Sequence, residues 1–187
     1  MLMQLKKRQG GFSLLEALLS IVIILAAGLG VVELFISGDK KNKINATQQI
    51  VEQVASAASQ LMNTSYGVAS GVATDDNIIA SGLIPKTDIN AKGDAIIGPY
   101  GPISVTQVDN IKYTVTASNV PVSEAKTMCG NMFSTAAVST GATSTTYAGS
   151  VSYCNGSLFS SVKTARTTIS FSYPIEDYTL TTTTTAA

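Results

Sequence analysis

Hydrophobic and polar positions divide the 187-residue chain into three zones. A short head, Met1–Gly11, ends in basic residues and glycine. The second zone, Phe12 to about Asn63, contains no proline, and its pattern predicts one long helix with two characters. Positions 12–36 form a run of 25 residues that is apolar except for Glu16, Glu33 and two serines. At ~1.5 Å per residue, such a run is long enough to cross the hydrocarbon core of a bilayer. From Ile44 onward the run gives way to a stripe. Ile44, Thr47, Val51, Val54, Ala58 and Leu61 recur at spacings of three and four, with Lys43, Glu52, Gln53 and Gln60 off the stripe. This is the signature of an amphipathic helix that covers a core or a neighbouring helix. Gly28, Gly30 and Gly38 each weaken the helix by about 1 kcal/mol relative to alanine.

The third zone, from about Thr64 to Ala187, holds all five prolines. It opens as loop, with a short helix expected at Asp76–Ser81. Gly98-Pro99-Tyr100-Gly101-Pro102 predicts a turn. Strands are expected at Ile103–Val108 and Ile111–Ala117, the second because Ile111, Tyr113, Val115 and Ala117 alternate with polar residues. Asp109-Asn110 suits the hairpin between them. Pro121 precedes a second helix, expected at Ser123–Phe133. Thr135–Thr146 reads as loop, and a last strand pair is expected at Ser150–Cys154 and Thr167–Tyr173. The predicted class is α+β: a long N-terminal helix packed by its amphipathic half on an antiparallel sheet.

Composition removes several function classes. There is no histidine and no tryptophan, so the commonest general base and metal ligand is missing. No serine–histidine pairing, metal-ligand cluster or phosphate-binding loop occurs, and the expectation is a protein with no catalytic residues, no metal and no cofactor. The acidic pairs Asp75-Asp76 and Glu176-Asp177 fit no calcium-loop pattern and read as solvated loop acids. Formal charge is zero overall, but Lys6, Lys7 and Arg8 stand together at the head. Without the first eleven residues, nine basic and twelve acidic residues remain, a net of −3 that offers no general attraction to nucleic acid. Cys129 and Cys154 lie 25 positions apart, which is neither a redox nor a zinc spacing. If the chain is exported, a disulfide is the expected state, with free buried thiols as the alternative. Closing such a loop would contribute about 3 kcal/mol.

The most informative stretch is Lys6-Lys7-Arg8-Gln9-Gly10-Gly11-Phe12-Ser13-Leu14-Leu15-Glu16. Basic residues before an apolar span hold that end in the cytoplasm and place the rest beyond the membrane. A conventional signal peptide is cut after its apolar region. Here the small pair Gly10-Gly11 precedes it, so a cut there would leave the apolar segment on the product.

This arrangement resembles the type IV prepilin family: a basic leader ending in glycine, then phenylalanine, then an acid at the fifth mature position. Gly11, Phe12 and Glu16 match position for position. The resemblance implies that a membrane-embedded prepilin peptidase cuts between Gly11 and Phe12 and methylates the new amine of Phe12. It also implies that Glu16 meets the amine of a neighbouring subunit during assembly. A lone carboxylate inside a membrane helix costs ~2.5–3.5 kcal/mol on insertion scales, and such pairing relieves that cost.

The expected organisation follows. Residues 1–11 form a leader, 12–63 the long helix with 12–36 as membrane span and later filament core, and 64–187 a periplasmic or extracellular domain with Cys129 and Cys154 bracketing its C-terminal region. The size and the helix-borne Cys129 favour the type IVb subgroup; the short leader followed by phenylalanine is more typical of IVa, and a start at Met3 would shorten the leader further. The expected function is a structural subunit that passes from the inner membrane into an extracellular filament. Its partners would be further copies of itself, the peptidase and the assembly machinery of the inner membrane, with no nucleic acid. Minor pilins and type II secretion pseudopilins share the same signal. A signal-anchored periplasmic binding protein is the reading from a different class.

Overall fold

A computed structural model describes residues 14–64, 71–132, 134–141, 143–147, 154 and 156–174, with the side chains at 14–17, 25–35, 143–147 and 157 outside it. The chain separates into two compact units, Met1–Lys40 and Lys41–Ala187. Helix α1 (Leu14–Thr64) runs from the first into the second. The absence of proline permits its length. At its end Thr64 Oγ1 donates to the carbonyls of Gln60 and Leu61, both at 3.0 Å, and that of Leu61 is one of the acceptors the last turn leaves open.

The remaining elements are α2 (Asp75–Ala80), α3 (Val122–Met132) and six strands: β1 (Ile96–Ile97), β2 (Pro102–Gln107), β3 (Tyr113–Pro121), β4 (Ala137–Thr140), β5 (Thr143–Tyr147) and β6 (Arg166–Tyr173). They form one antiparallel sheet in the order β1-β2-β3-β6-β4-β5. Alternation in β2, β3 and β6 sorts the faces. Ile103, Val105, Val115, Ala117, Ile169 and Phe171 are buried on one side and join a core with Ile44, Val51, Val54 and Ala58 of α1. The opposite side carries hydroxyls, with Thr114–Ser172 at 2.8 Å and Thr116–Ser170 at 3.0 Å bridging the paired strands.

The predicted stripe on α1 lies in that core, and Lys43, Glu52, Gln53 and Gln60 are exposed as expected. The buried face is wider than the stripe, taking in Gln48, Ile50, Ala55 and Ala57. A twisted sheet covers more of a helix than a single seam does. Tyr113 fixes the contact: its buried hydroxyl donates to the Ala55 carbonyl at 2.8 Å. The β2–β3 hairpin forms around Asp109, whose Oδ1 accepts from the amides of Ile111 and Lys112 at 2.9 and 2.8 Å. Ile111 itself sits exposed in that turn rather than on the inward face of β3.

Thr135–Thr146, expected as loop, holds β4 and most of β5. Its serines, threonines and alanines give little polar contrast, yet Ala136, Ala137 and Val138 are buried and β4 takes its ladder from β6. The strand expected at Ser150–Cys154 lies outside the described residues apart from Cys154, which has helical backbone. β6 pairs instead with β3 and β4. α2 and α3 each begin one residue before the expected start. For α2 the reason is a cap: Thr74 Oγ1 accepts from the Asn77 amide at 3.3 Å, and Asp75 and Asp76 occupy the first turn, where the helix dipole favours acids.

Candidate functional site

The chemistry expected from the sequence centres on the head of the chain. Gly11 and Phe12 lie outside the described residues. Glu16 is the third residue of α1, with its side chain outside the description. Immediately after it, Leu18, Leu19, Ile21, Val22, Ile23 and Ile24 are all between 54% and 69% exposed. A helix turns once in 3.6 residues, so side chains from 18 to 24 point in every direction around it. Removing each such side chain from water is worth about 1.5–3 kcal/mol. An all-round apolar helix of this kind requires lipid or other helices about it. Among the described residues no helix is long and apolar enough to cross a membrane. The apolar run of the sequence passes through 12–17 and 25–35, whose side chains are not among them.

At the other end of the chain, Cys129 on α3 and Cys154 are joined by a disulfide with a Cα–Cα distance of 5.6 Å, and both are buried. α3 is tied to the long helix by Asn131 Nδ2, which donates to Gln48 Oε1 at 3.3 Å. Ser123 Oγ donates to Glu124 Oε2, giving the buried Glu124 a partner.

Among the described residues of the domain, three groups are shifted from their ordinary values. Burial pushes the Tyr113 hydroxyl up to about 12. Burial also raises the Tyr173 hydroxyl, reinforced by the neighbouring Tyr113 and Glu52. The two rings stack at 5.3 Å with an interplanar angle of 18°, so both act as packing joints. Asp75 is not the solvated loop acid expected from the sequence. It is half-buried, and its Oδ1 accepts from the Val105 amide at 2.6 Å. Desolvation raises it above the usual carboxylate value; the bond from Val105 opposes this, and Asp76 adds to it.

Beside Asp75 is a clamp that the sequence did not reveal. Gln107 Oε1 accepts from the amides of Gly71, Val72 and Ala73 at 3.0, 2.8 and 3.0 Å. Together with a Thr74–Thr106 bridge, it pins the segment before α2 to β2. The one signal available was a polar residue at the inward position that follows Ile103 and Val105 in β2. Among the described residues, no group of three or more histidine, cysteine, aspartate or glutamate side chains is placed to hold a metal ion.

Comparison with known families places the head of the chain. Residues 6–32 match the prokaryotic N-terminal methylation motif. This is the type IV prepilin signal. No curated protein matches the chain. The signal supports a protein of type IV pilin-like or pseudopilin type.

Proposed function

We propose that this chain is a structural subunit of a type IV pilus. The observation that carries the reading is the all-round exposure of Leu18–Ile24 within the matched prepilin signal, just after Glu16. Prepilin peptidase removes residues 1–11 by cutting after Gly11, and the new amine of Phe12 is methylated. Residues 12–36 hold the subunit in the inner membrane and then leave it to bundle with copies of themselves as the filament core. Residues 64–187, with the end of α1, form the outer domain of an extracellular pilus. The helices associate through nondirectional burial of apolar surface, which sets no register by itself.

Register comes from Glu16. Its carboxylate is unpaired in an apolar bundle until it reaches the Phe12 amine of a neighbour, and an uncompensated charge there is strongly penalised. The test is Glu16→Leu expressed in the native host, with sheared surface filaments counted by electron microscopy. Processed, folded protein without filaments is the expected result. Normal filaments from Glu16→Leu would remove Glu16 from assembly. Wild-type protein that is processed but held in the envelope would make the chain a minor pilin or pseudopilin.

A further inference from the structure

At one end of the sheet, the bulge in β3, Gly141 just after β4 and the chain entering β6 surround a groove of about 630 Å³. Asn119, Lys163, Thr164, Arg166 and Thr168 line it. Its size falls in the range of small-ligand sites. Between Glu124 and Glu176 the sequence has three cations, Lys126, Lys163 and Arg166, and no acid. Two of the three face this groove, and no acidic side chain lines it among the described residues. The groove is therefore locally cationic, whereas the chain without its first eleven residues carries a net −3.

The walls are fixed before any ligand arrives. Asn119 holds a left-handed backbone, with φ of 61°, and its Nδ2 donates to the Tyr100 carbonyl at 3.1 Å. Asparagine adopts this conformation more readily than other non-glycine residues, and it lets β3 bulge at the groove. Arg166 Nη1 donates to the Asn119 carbonyl at 2.9 Å, which orients the guanidinium and leaves most of its five N–H donors available. The chain from Val162 to Arg166 is tied at three points. The Val162 amide donates to the Phe159 carbonyl at 3.2 Å, Thr164 Oγ1 to the Arg166 carbonyl at 2.5 Å, and the Val122 amide to the Ala165 carbonyl at 3.2 Å. On the far side, the Gly141 amide donates to the Thr168 carbonyl at 3.1 Å.

We propose that this groove binds a carboxylated saccharide, a uronic-acid unit of an acidic polysaccharide. The Arg166 fork matches a carboxylate bidentately, and Lys163 adds a second positive charge at its rim. The hydroxyls of Thr164 and Thr168 and the amide of Asn119 supply the mixed donors and acceptors that ring hydroxyls need. Two cations are too few to track a nucleic-acid backbone, which is bound by neutralising many phosphates. Inorganic phosphate would accept from the same donors, so it is the competing anion in the test.

The test uses the full mature chain in detergent micelles, titrated by calorimetry with trigalacturonate, with neutral galactotriose and with inorganic phosphate. Saturable binding of trigalacturonate alone is expected, weakened at least tenfold in Lys163→Ala and further in Lys163→Ala/Arg166→Ala. Lys163 is exposed and bonds to no wall of the groove, so Lys163→Ala keeps the wild-type melting curve. Arg166→Lys retains the charge and loses the fork, and it is expected to bind more weakly than wild type. Equal binding of galactotriose or of phosphate, an unchanged affinity in Lys163→Ala, or no binding up to the solubility limit of trigalacturonate would each overturn the proposal.

Discussion

Removing the Cys129–Cys154 cross-link tests what holds the outer domain together. The bond closes a loop across a sequence separation of 25, and both sulfurs are buried. For a loop of that length the chain-entropy relation gives about 3 kcal/mol, released into the unfolded state when the bond is absent. Domains of this size have a total stability of about 5–15 kcal/mol, so the loss is a large fraction of the whole. The perturbation is made in two ways. Wild-type protein is reduced, which leaves both thiols in the core, and Cys129→Ala/Cys154→Ala removes the sulfurs as well. Urea unfolding followed by circular dichroism reports each. With a urea slope of about 2 kcal/mol/M, the midpoint of reduced protein falls by about 1.5 M. The double variant falls slightly further, because it also loses buried sulfur volume. A shift below about 0.5 M in reduced protein would refute the loop argument, since the corresponding change of about 1 kcal/mol is no more than an ordinary contact.

Two further predictions concern backbone space and protonation. A Cβ on Gly101 would lie 2.9 Å from the Ser118 carbonyl oxygen and 3.2 Å from the Asn119 Cβ, whereas one on Gly130, inside α3, would meet nothing within 4 Å. Gly101→Ala is expected to cost about 1–3 kcal/mol and Gly130→Ala to gain up to about 1 kcal/mol. Thermal melting of the two variants in opposite directions checks the pair, and a Gly101→Ala protein that melts at or above wild type contradicts it. Asp75 is raised above its ordinary value of 3.8, so the folded state binds its proton more tightly than the unfolded state does. Stability therefore falls as pH rises from about 4 through the raised native value, and acidification across that window restores it. Asp75→Asn keeps an acceptor for the Val105 amide but has no proton to bind, so it lacks this slope; parallel urea midpoints of the two proteins from pH 3 to 7 would count against the assignment.

Much of this architecture was legible in the chain because it rests on local periodicity. The Ile44–Leu61 stripe needed only a 3.6-residue repeat, and Tyr113, Val115 and Ala117 needed only alternation. Strands β4 and β5 offered neither. Val138 is buried with alanines beside it, and the ladder that makes β4 a strand comes from β6, about thirty positions away. β1 is two residues long and exists through its pairing with Ile103 and Pro102. The Gln107 clamp acts on Gly71, 36 positions earlier, so no local pattern announces it. The prepilin signal differs in kind. It is a linear string, so Gly11, Phe12 and Glu16 stand out before any folding is considered. The cationic groove is the converse, assembled from positions 119, 141 and 161–168 that only the fold brings together.

Cleavage behind Gly11 and passage into a surface filament are read out together by mass spectrometry of the N-terminal peptide of material sheared from cells. A peptide beginning at N-methylated Phe12, from the dominant sheared protein, is the predicted result. A mature protein that retains the residues before Phe12 would contradict both and leave a signal-anchored domain in their place.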